Sequence, residues 1–242
     1  MNPNYDLDKI KFSIDKPIFD RAVELYETGK IKNFKKDYGG YSAVVIGTQP
    51  YEVSVSNKNY DCGNCDCYLG QKGVLCKHMI SVAICAVTGD KELNKIDKEL
   101  ISSPECSNKL GEMSEEDFAE VKKTIATSIK YIKAYQGPSK TWFSYQNSLT
   151  EGVRRLSDVV SKLPISLQSA ELLVSMLLRL DKKLCVGGVD DSNGIIGGFI
   201  DEIVDILKDY AKLDPKCIKA FKKLRNQETC FSWEESLLKL LY

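Results

Sequence analysis

Hydrophobic and polar positions change their pattern about halfway along the chain. Between residues 42 and 56, two segments are rich in β-branched residues, and apolar and polar positions alternate over residues 51–56. This pattern is typical of strands. From residue 115 onward, apolar residues recur at spacings of three and four, which is typical of helices. The chain is therefore predicted to be α+β, with a small sheet-containing region followed by an all-α region.

The first region is expected to place a short antiparallel sheet between two helices. Residues 17–29 predict an amphipathic helix that begins at a proline and ends at a glycine. Residues 30–36 alternate lysine with apolar residues and predict an edge strand. Strands at 42–47 and 51–56 follow, a third is expected through residues 59–62, and a helix is expected from residue 78 to about residue 87.

The second region is expected to be a helical bundle or a helical-repeat array, because its helices are joined by short loops. The expected helices cover residues 115–132, 139–163, 167–184 and 195–213, a stretch after Pro215, and a last helix with Ser232 and Glu235 as a capping box. Residues 90–114 are polar and contain Ser, Pro and Gly, which predicts a linker. The predicted domains are thus residues 1–89 and 115–242.

Residues 62–78 contain four of the nine cysteines and the only histidine. Residues two apart on an extended segment point to the same side, so Cys65 and Cys67 can face one ion. Cys76 and His78 follow after eight residues that include two glycines, which suit a loop that turns back. Three cysteines and one histidine are a usual ligand set for structural zinc. The spacing predicts a Zn²⁺ site with these four ligands.

The sequence alone also allows other interpretations of these cysteines. Buried cysteines often act as small hydrophobic residues without a metal. A redox C-x-x-C motif would have to open a helix after a strand, whereas Cys62 and Cys65 run directly into a C-x-C pair. Cys62 is either an alternative ligand or not part of the site.

The C-x-C, variable gap, C-x-H pattern resembles the SWIM-type zinc finger, in its prokaryotic form with a C-terminal helical region. The resemblance extends to Y-x-x-G at residues 26–29 and Y-x-V at residues 51–53. It implies a β-hairpin before the first two ligands, a helix after the last two, and a structural zinc. It also implies an association with DNA binding or protein–protein interaction.

The segment Asp190–Gly194 is similar to a D-D-S-x-G segment found downstream of many prokaryotic SWIM domains. In physical terms, Asp191, Ser192 or Asn193 can cap the helix that begins near residue 194. A calcium loop would need oxygen ligands at alternating positions and a glutamate at position twelve, and this segment lacks that set.

The charges are balanced overall and in each half. The net charge is zero, with 15 basic and 15 acidic residues in 1–110 and 19 of each in 111–242. A nucleic-acid-binding protein usually carries a basic field, so the balance weighs against that function. The candidate nucleic-acid-binding residues are Lys30, Lys32, Lys35 and Lys36, for which the alternative is the solvated face of an edge strand.

The chain is expected to be a soluble cytoplasmic protein. Its 43% hydrophobic and 28% charged residues are ordinary for a globular protein. We see no apolar run near the length of a membrane span and no secretion signal at the start. The cysteines outside the cluster are scattered through predicted helices, which suits free thiols in a reducing compartment.

The expected function is a non-enzymatic interaction module with a structural zinc, which contacts a protein partner within a DNA-handling complex. The single histidine is assigned to zinc, four ligands leave no open position on the metal, and no nucleotide-binding motif is present. Direct DNA or RNA binding through the basic stretches is the first alternative, and an enzyme with an unrecognised carboxylate site is the second. No small-molecule substrate is evident.

Overall fold

The computed structural model describes residues 2–89 and 91–242. Residue 90, where the predicted linker begins, and residue 1 lie outside the described residues. The chain is α+β and mostly helical, as predicted. It divides into two compact units, Met1–Leu100 and Ile101–Tyr242, which we call the N-terminal unit and the C-terminal unit.

The N-terminal unit contains one antiparallel sheet with helices before and after it. Its elements are α1 (Leu7–Ser13), α2 (Lys16–Glu27), β1 (Ile31–Asp37), β2 (Gly40–Ile46), β3 (Pro50–Ser56), β4 (Gly63–Cys65), α3 (Tyr68–Gln71), α4 (Lys77–Thr88) and α5 (Lys95–Lys98). The strands lie in sequence order, so β1 is an edge strand, as predicted. The sequence pattern did not predict α1, and it placed the last strand at residues 59–62 rather than in β4.

Helix α4 lies at the centre of the N-terminal unit because it is apolar on more than one side. Ile80 and Ile84 pack with the buried residues of α1 and α2. Met79 and Val82 pack with the inward residues of the sheet. Burial on both sides fixes this helix firmly, and it therefore holds the residues at its first turn in a defined position.

The C-terminal unit has a single core built from its long helices. Its elements are α6 (Glu115–Ser128), α7 (Trp142–Lys162), α8 (Leu167–Cys185), α9 (Ile195–Leu213), the 3₁₀ helix Pro215–Leu224 and α10 (Glu235–Leu238), with shorter 3₁₀ turns between them. The four long helices agree with the sequence pattern to within a few residues. Within the described part of the chain, no helix combines the length and apolar character needed to cross a membrane.

The segment after the long 3₁₀ helix differs from two expectations. Ser232 has a φ of +53° and does not cap the last helix, which begins at Glu235 without a side-chain cap. Cys185 and Cys230 form a disulfide, so the expectation of free thiols is wrong for this pair. The buried carboxylate of Asp181 accepts hydrogen bonds from the Cys230 backbone N–H at 2.8 Å and from a tryptophan indole N–H at 2.9 Å.

Candidate metal centre

Four separate backbone features bring the predicted ligands together. Cys65 is the last residue of β4, paired with Val53 on β3. Cys67 is the N-cap of α3, and Cys76 is the N-cap of α4. His78 lies in the first turn of α4. One ligand thus comes from the end of the sheet, one from the start of α3 and two from the start of the central helix α4.

The four ligand atoms form a compact buried cluster. The Cys65, Cys67, Cys76 and His78 side chains are 4%, 6%, 1% and 5% exposed. Their three sulfur atoms and one histidine nitrogen all lie within 4.8 Å of one another. Nδ1 of His78 lies 3.8 Å from the sulfur of Cys65 and 3.9 Å from the sulfur of Cys76. This buried Cys3His cluster could hold a metal ion.

The distances fit the dimensions of a tetrahedral zinc site. With Zn–S bonds of about 2.3 Å and a Zn–N bond of about 2.0 Å, a regular tetrahedron separates sulfur and nitrogen by about 3.5 Å. The observed 3.8 and 3.9 Å separations therefore need only a small inward shift of the side chains to coordinate one ion. Cysteine and histidine in a closed set of four are also the ligands that structural zinc prefers.

The loop between the two ligand pairs is shaped around the cysteine sulfurs. The backbone N–H of Gly70 donates to the sulfur of Cys67 at 3.4 Å. A Cβ on Gly70 would lie 2.1 Å from the carbonyl oxygen of Cys65, so no side chain fits there. Gly73 has a φ of +68°, which favours glycine where the chain turns back toward Cys76.

The protonation of the ligands follows from their burial. Burial raises the pKa of the Cys65 and Cys76 thiols. Burial acts in the same direction on Cys67, but the Gly70 N–H and the neighbouring thiols donate to its sulfur and bring its pKa below the usual value. Burial also lowers the pKa of His78, which keeps its imidazole neutral near pH 7. A bound cation would deprotonate the coordinating thiols, because thiols lose their protons when they bind a metal.

The outer face of the histidine is covered by the sheet. The Tyr51 ring stacks on the His78 ring with centroids 4.5 Å apart and planes 28° apart. A Cβ on Gly47 would lie 3.0 Å from Nε2 of His78, so the β2–β3 turn approaches the ring closely. Among the described residues, Nε2 has no hydrogen-bond partner. Nδ1, by contrast, lies within 3.9 Å of the sulfurs of Cys65 and Cys76 and is the nitrogen that faces the cluster.

Cys62 stays outside the cluster. Its side chain is exposed, and the group of potential ligand atoms found among the described residues does not include it. Its sulfur lies 4.0 Å from the side-chain nitrogen of Asn59. Cys65, the partner in the C-x-x-C spacing, ends a strand and does not open a helix. This arrangement differs from the one that a thioredoxin-like motif requires.

The four candidate nucleic-acid-binding lysines do not share one face of the sheet. Lys32 pairs with Val44 and Lys35 with Ser42, while Lys36 pairs with Tyr41, whose side chain is buried on the opposite face. The register shifts between Lys32 and Lys35 at a β-bulge. Lys30 precedes the strand. All four lysines are exposed. Because of the bulge and the alternation of side chains along the strand, they do not all point to the same side of the sheet.

The groove beside these lysines carries charges of both signs. It has a volume of about 590 Å³ and crosses the outer face of the sheet. Lys35 lines it on one side, and Glu52 and Asp66 line it on the other. A site for a phosphate backbone would be expected to carry basic residues without such acids.

The segment Asp190–Gly194 has a structural role at the start of α9. The carboxylate of Asp191 accepts hydrogen bonds from the backbone N–H groups of Ile196 and Gly197 at 2.9 and 2.8 Å. The carboxylate of Asp190 accepts a hydrogen bond from the Trp142 indole N–H at 3.0 Å. Asp191 thus caps α9, whereas Asp190 binds the indole of the first residue of α7.

Sequence reasoning missed two residues that shape the centre, Gly70 and Tyr51. The sequence pattern identifies the glycines between the ligand pairs only as turn formers, because the close approach of Gly70 to Cys65 depends on the folded path of the loop. The sequence pattern predicts a strand at Tyr51, but the stacking of its ring on His78 follows from sheet register, which the local pattern does not specify.

Comparison with protein-family models, with curated proteins and with solved structures found no match for this chain.

Proposed function

We propose that this protein is a zinc-dependent interaction module of the SWIM type, in which one structural zinc ion orders the N-terminal unit and the surface of the protein binds another protein. The observation that carries the proposal is the burial of Cys65, Cys67, Cys76 and His78 around one point, with all four ligand atoms within 4.8 Å. The resemblance to SWIM modules supports a partner that belongs to a DNA-handling complex.

A structural role for the metal is supported by the number and burial of the ligands. Catalytic zinc keeps one position for water or substrate, whereas four protein ligands close the coordination sphere. His78 is the only histidine in the chain, so no second imidazole is available as a general base. We therefore propose a module that does not itself catalyse a reaction.

The site also accounts for how the N-terminal unit reaches a single structure. Cys65, Cys67 and Cys76 belong to the apolar cluster that joins the sheet to α4. Without a metal, this cluster would contain three thiols and an imidazole that pack without strong bonds. With zinc, the same side chains connect the end of β4 to the start of α4, and the binding free energy becomes folding free energy.

A protein partner is favoured over direct nucleic-acid binding by the charge distribution. The net charge is zero, and the lysines of β1 point in different directions. The groove next to them contains Glu52 and Asp66. Nucleic-acid binding by phosphate contacts would instead require several aligned cations.

The structural role of the metal is tested by hydrogen exchange on the full chain. We expect chelation of the metal, or His78→Ala, to remove amide protection mainly within residues 40–89, because the cluster links the sheet to α4. Protection in the C-terminal unit should not change. Unchanged protection at residues 40–89 after complete metal removal would contradict the proposal.

The choice of partner is tested by two binding assays on zinc-loaded protein. Capture from lysate should enrich one or more proteins on the native chain and not on the Cys76→Ser variant. Fluorescence anisotropy with labelled single- and double-stranded DNA and RNA should show no binding that depends steeply on salt. Tight, salt-sensitive oligonucleotide binding would replace the proposed function with direct nucleic-acid binding.

A further inference from the structure

A pocket of about 290 Å³ borders the metal centre on the surface of the N-terminal unit. Its back wall contains three of the proposed ligands and the Tyr51 ring, and its sides come from α2 and α3. A volume of this size lies at the lower end of the range for ligand sites, roughly 300–1,000 Å³. It suits one large side chain of a partner better than a whole small molecule.

Apolar side chains form the open edge of the pocket. Tyr68 and Leu69, the first two residues of α3, are 71% and 42% exposed, and Ile18 of α2 lines the opposite side. Exposed large apolar side chains that are grouped together mark interaction sites. The edge is positioned by the metal centre, because Cys67 caps the same short helix.

The two charged side chains other than His78 in the pocket lining are basic. Arg21 and Lys77 line it, and no aspartate or glutamate is found among its described lining residues. Lys72 lies close by, with its ammonium 4.1 Å from the centroid of the Tyr68 ring. The potential in this pocket therefore favours an anionic ligand.

We propose that this pocket docks an acidic peptide segment of a partner protein, with one large apolar side chain inside the pocket and flanking carboxylates on Arg21 and Lys77. The inference rests on the proposed function, since it names the partner chemistry of the zinc-dependent module. The basic rim supplies orientation and the apolar interior supplies affinity, which is the usual division of roles in peptide recognition.

A peptide fits the pocket better than a nucleic acid does. One face of the Tyr51 ring is stacked on His78, and one face of the Tyr68 ring is covered by Lys72. The remaining lining is partly aliphatic, from Ile18 and Leu69. Single-stranded nucleic acids are held by open aromatic faces along a basic groove, which this short pocket lacks.

The test is selection from a phage-displayed library of random dodecapeptides on the zinc-loaded full chain. We expect enriched peptides to combine one large apolar residue with neighbouring Asp or Glu. Synthetic copies of these peptides, followed by fluorescence anisotropy, should bind the double variant Arg21→Glu/Leu69→Ser at least about tenfold more weakly, because both the rim charge and the apolar edge are lost. A matched control, Lys58→Glu/Tyr38→Ser, changes one exposed cation and one exposed apolar residue outside the pocket and should bind normally.

Several results would overturn the inference. The selection could enrich no peptide, or it could enrich peptides that lack acidic residues. The selected peptides could also bind the native chain and the Arg21→Glu/Leu69→Ser variant equally well. Occupation of the pocket by an oligonucleotide or by a second copy of the chain, detected as binding or self-association that the pocket variant abolishes, would also overturn it. Zinc content is measured for every protein used. A zinc-free native chain would contradict the proposed function itself, whereas zinc-loaded proteins without pocket-dependent peptide binding contradict only this inference.

Discussion

Replacement of Gly70 by alanine tests whether the loop between the two ligand pairs must lie in close contact with Cys65 at the end of β4. The new Cβ would lie 2.1 Å from the Cys65 carbonyl oxygen and 2.6 Å from the Cys65 Cβ. Either the loop or the ligand must move by about 1 Å, while Zn–S bonds stay near 2.3 Å. We take the upper end of the cost of overpacking, about 3 kcal/mol, which corresponds to roughly a 150-fold loss of zinc affinity.

Gly73→Ala is the matched control in the same loop. Its φ is +68°, but no atom lies within 4 Å of the position of a Cβ. Only the left-handed backbone penalises alanine there, at about 1 kcal/mol, or roughly a fivefold loss of affinity. The assay is competition for zinc against a chelating dye, with urea unfolding as a parallel measure of stability. Equal losses for the two variants would refute the argument from close approach.

Three further predictions concern other parts of the molecule. Reduction of the Cys185–Cys230 disulfide, which spans 45 residues, should lower the stability of the C-terminal unit by about 4 kcal/mol in urea unfolding, and the Cys185→Ser variant should show the same loss without reductant. Asp191→Ala should destabilise by about 1 kcal/mol through loss of the cap of α9, whereas Asp191→Asn should lose less; equal losses would be evidence against a capping role. Zinc affinity should fall as the pH is lowered, because protonated thiols compete with the metal. Burial raises the pKa of Cys65 and Cys76, so each should release a proton on zinc binding at pH 7, and calorimetry in buffers of different ionisation enthalpy should detect this release.

The parts of the structure that depend on local sequence could be predicted. The long amphipathic helices follow from apolar spacing alone, and α9 is found at residues 195–213 as expected. The two ligand pairs are local patterns of two residues each, and the structure brings them together. The sequence predicts Asp191, Ser192 or Asn193 as the cap of α9, and in the structure Asp191 accepts the hydrogen bonds from the first turn.

The parts that depend on distant pairing could not be predicted. Helix α1 has only two turns, too few for a clear period, and it is held by the packing of Ile10 and Phe12 against other helices. The position of β4 depends on its register with β3, which joins Cys65 to Val53. The cysteine pair of the C-terminal unit is separated by 45 residues, and no local pattern indicates which of the scattered cysteines meet.

The most direct test of the central claim is the metal content of the native chain and two cysteine variants, measured by native mass spectrometry. The account predicts one zinc ion per chain, which is retained in Cys62→Ser and lost in Cys76→Ser, because Cys62 is exposed outside the cluster and Cys76 is buried within it. A native chain without zinc, or full zinc occupancy in Cys76→Ser, would contradict the proposed centre.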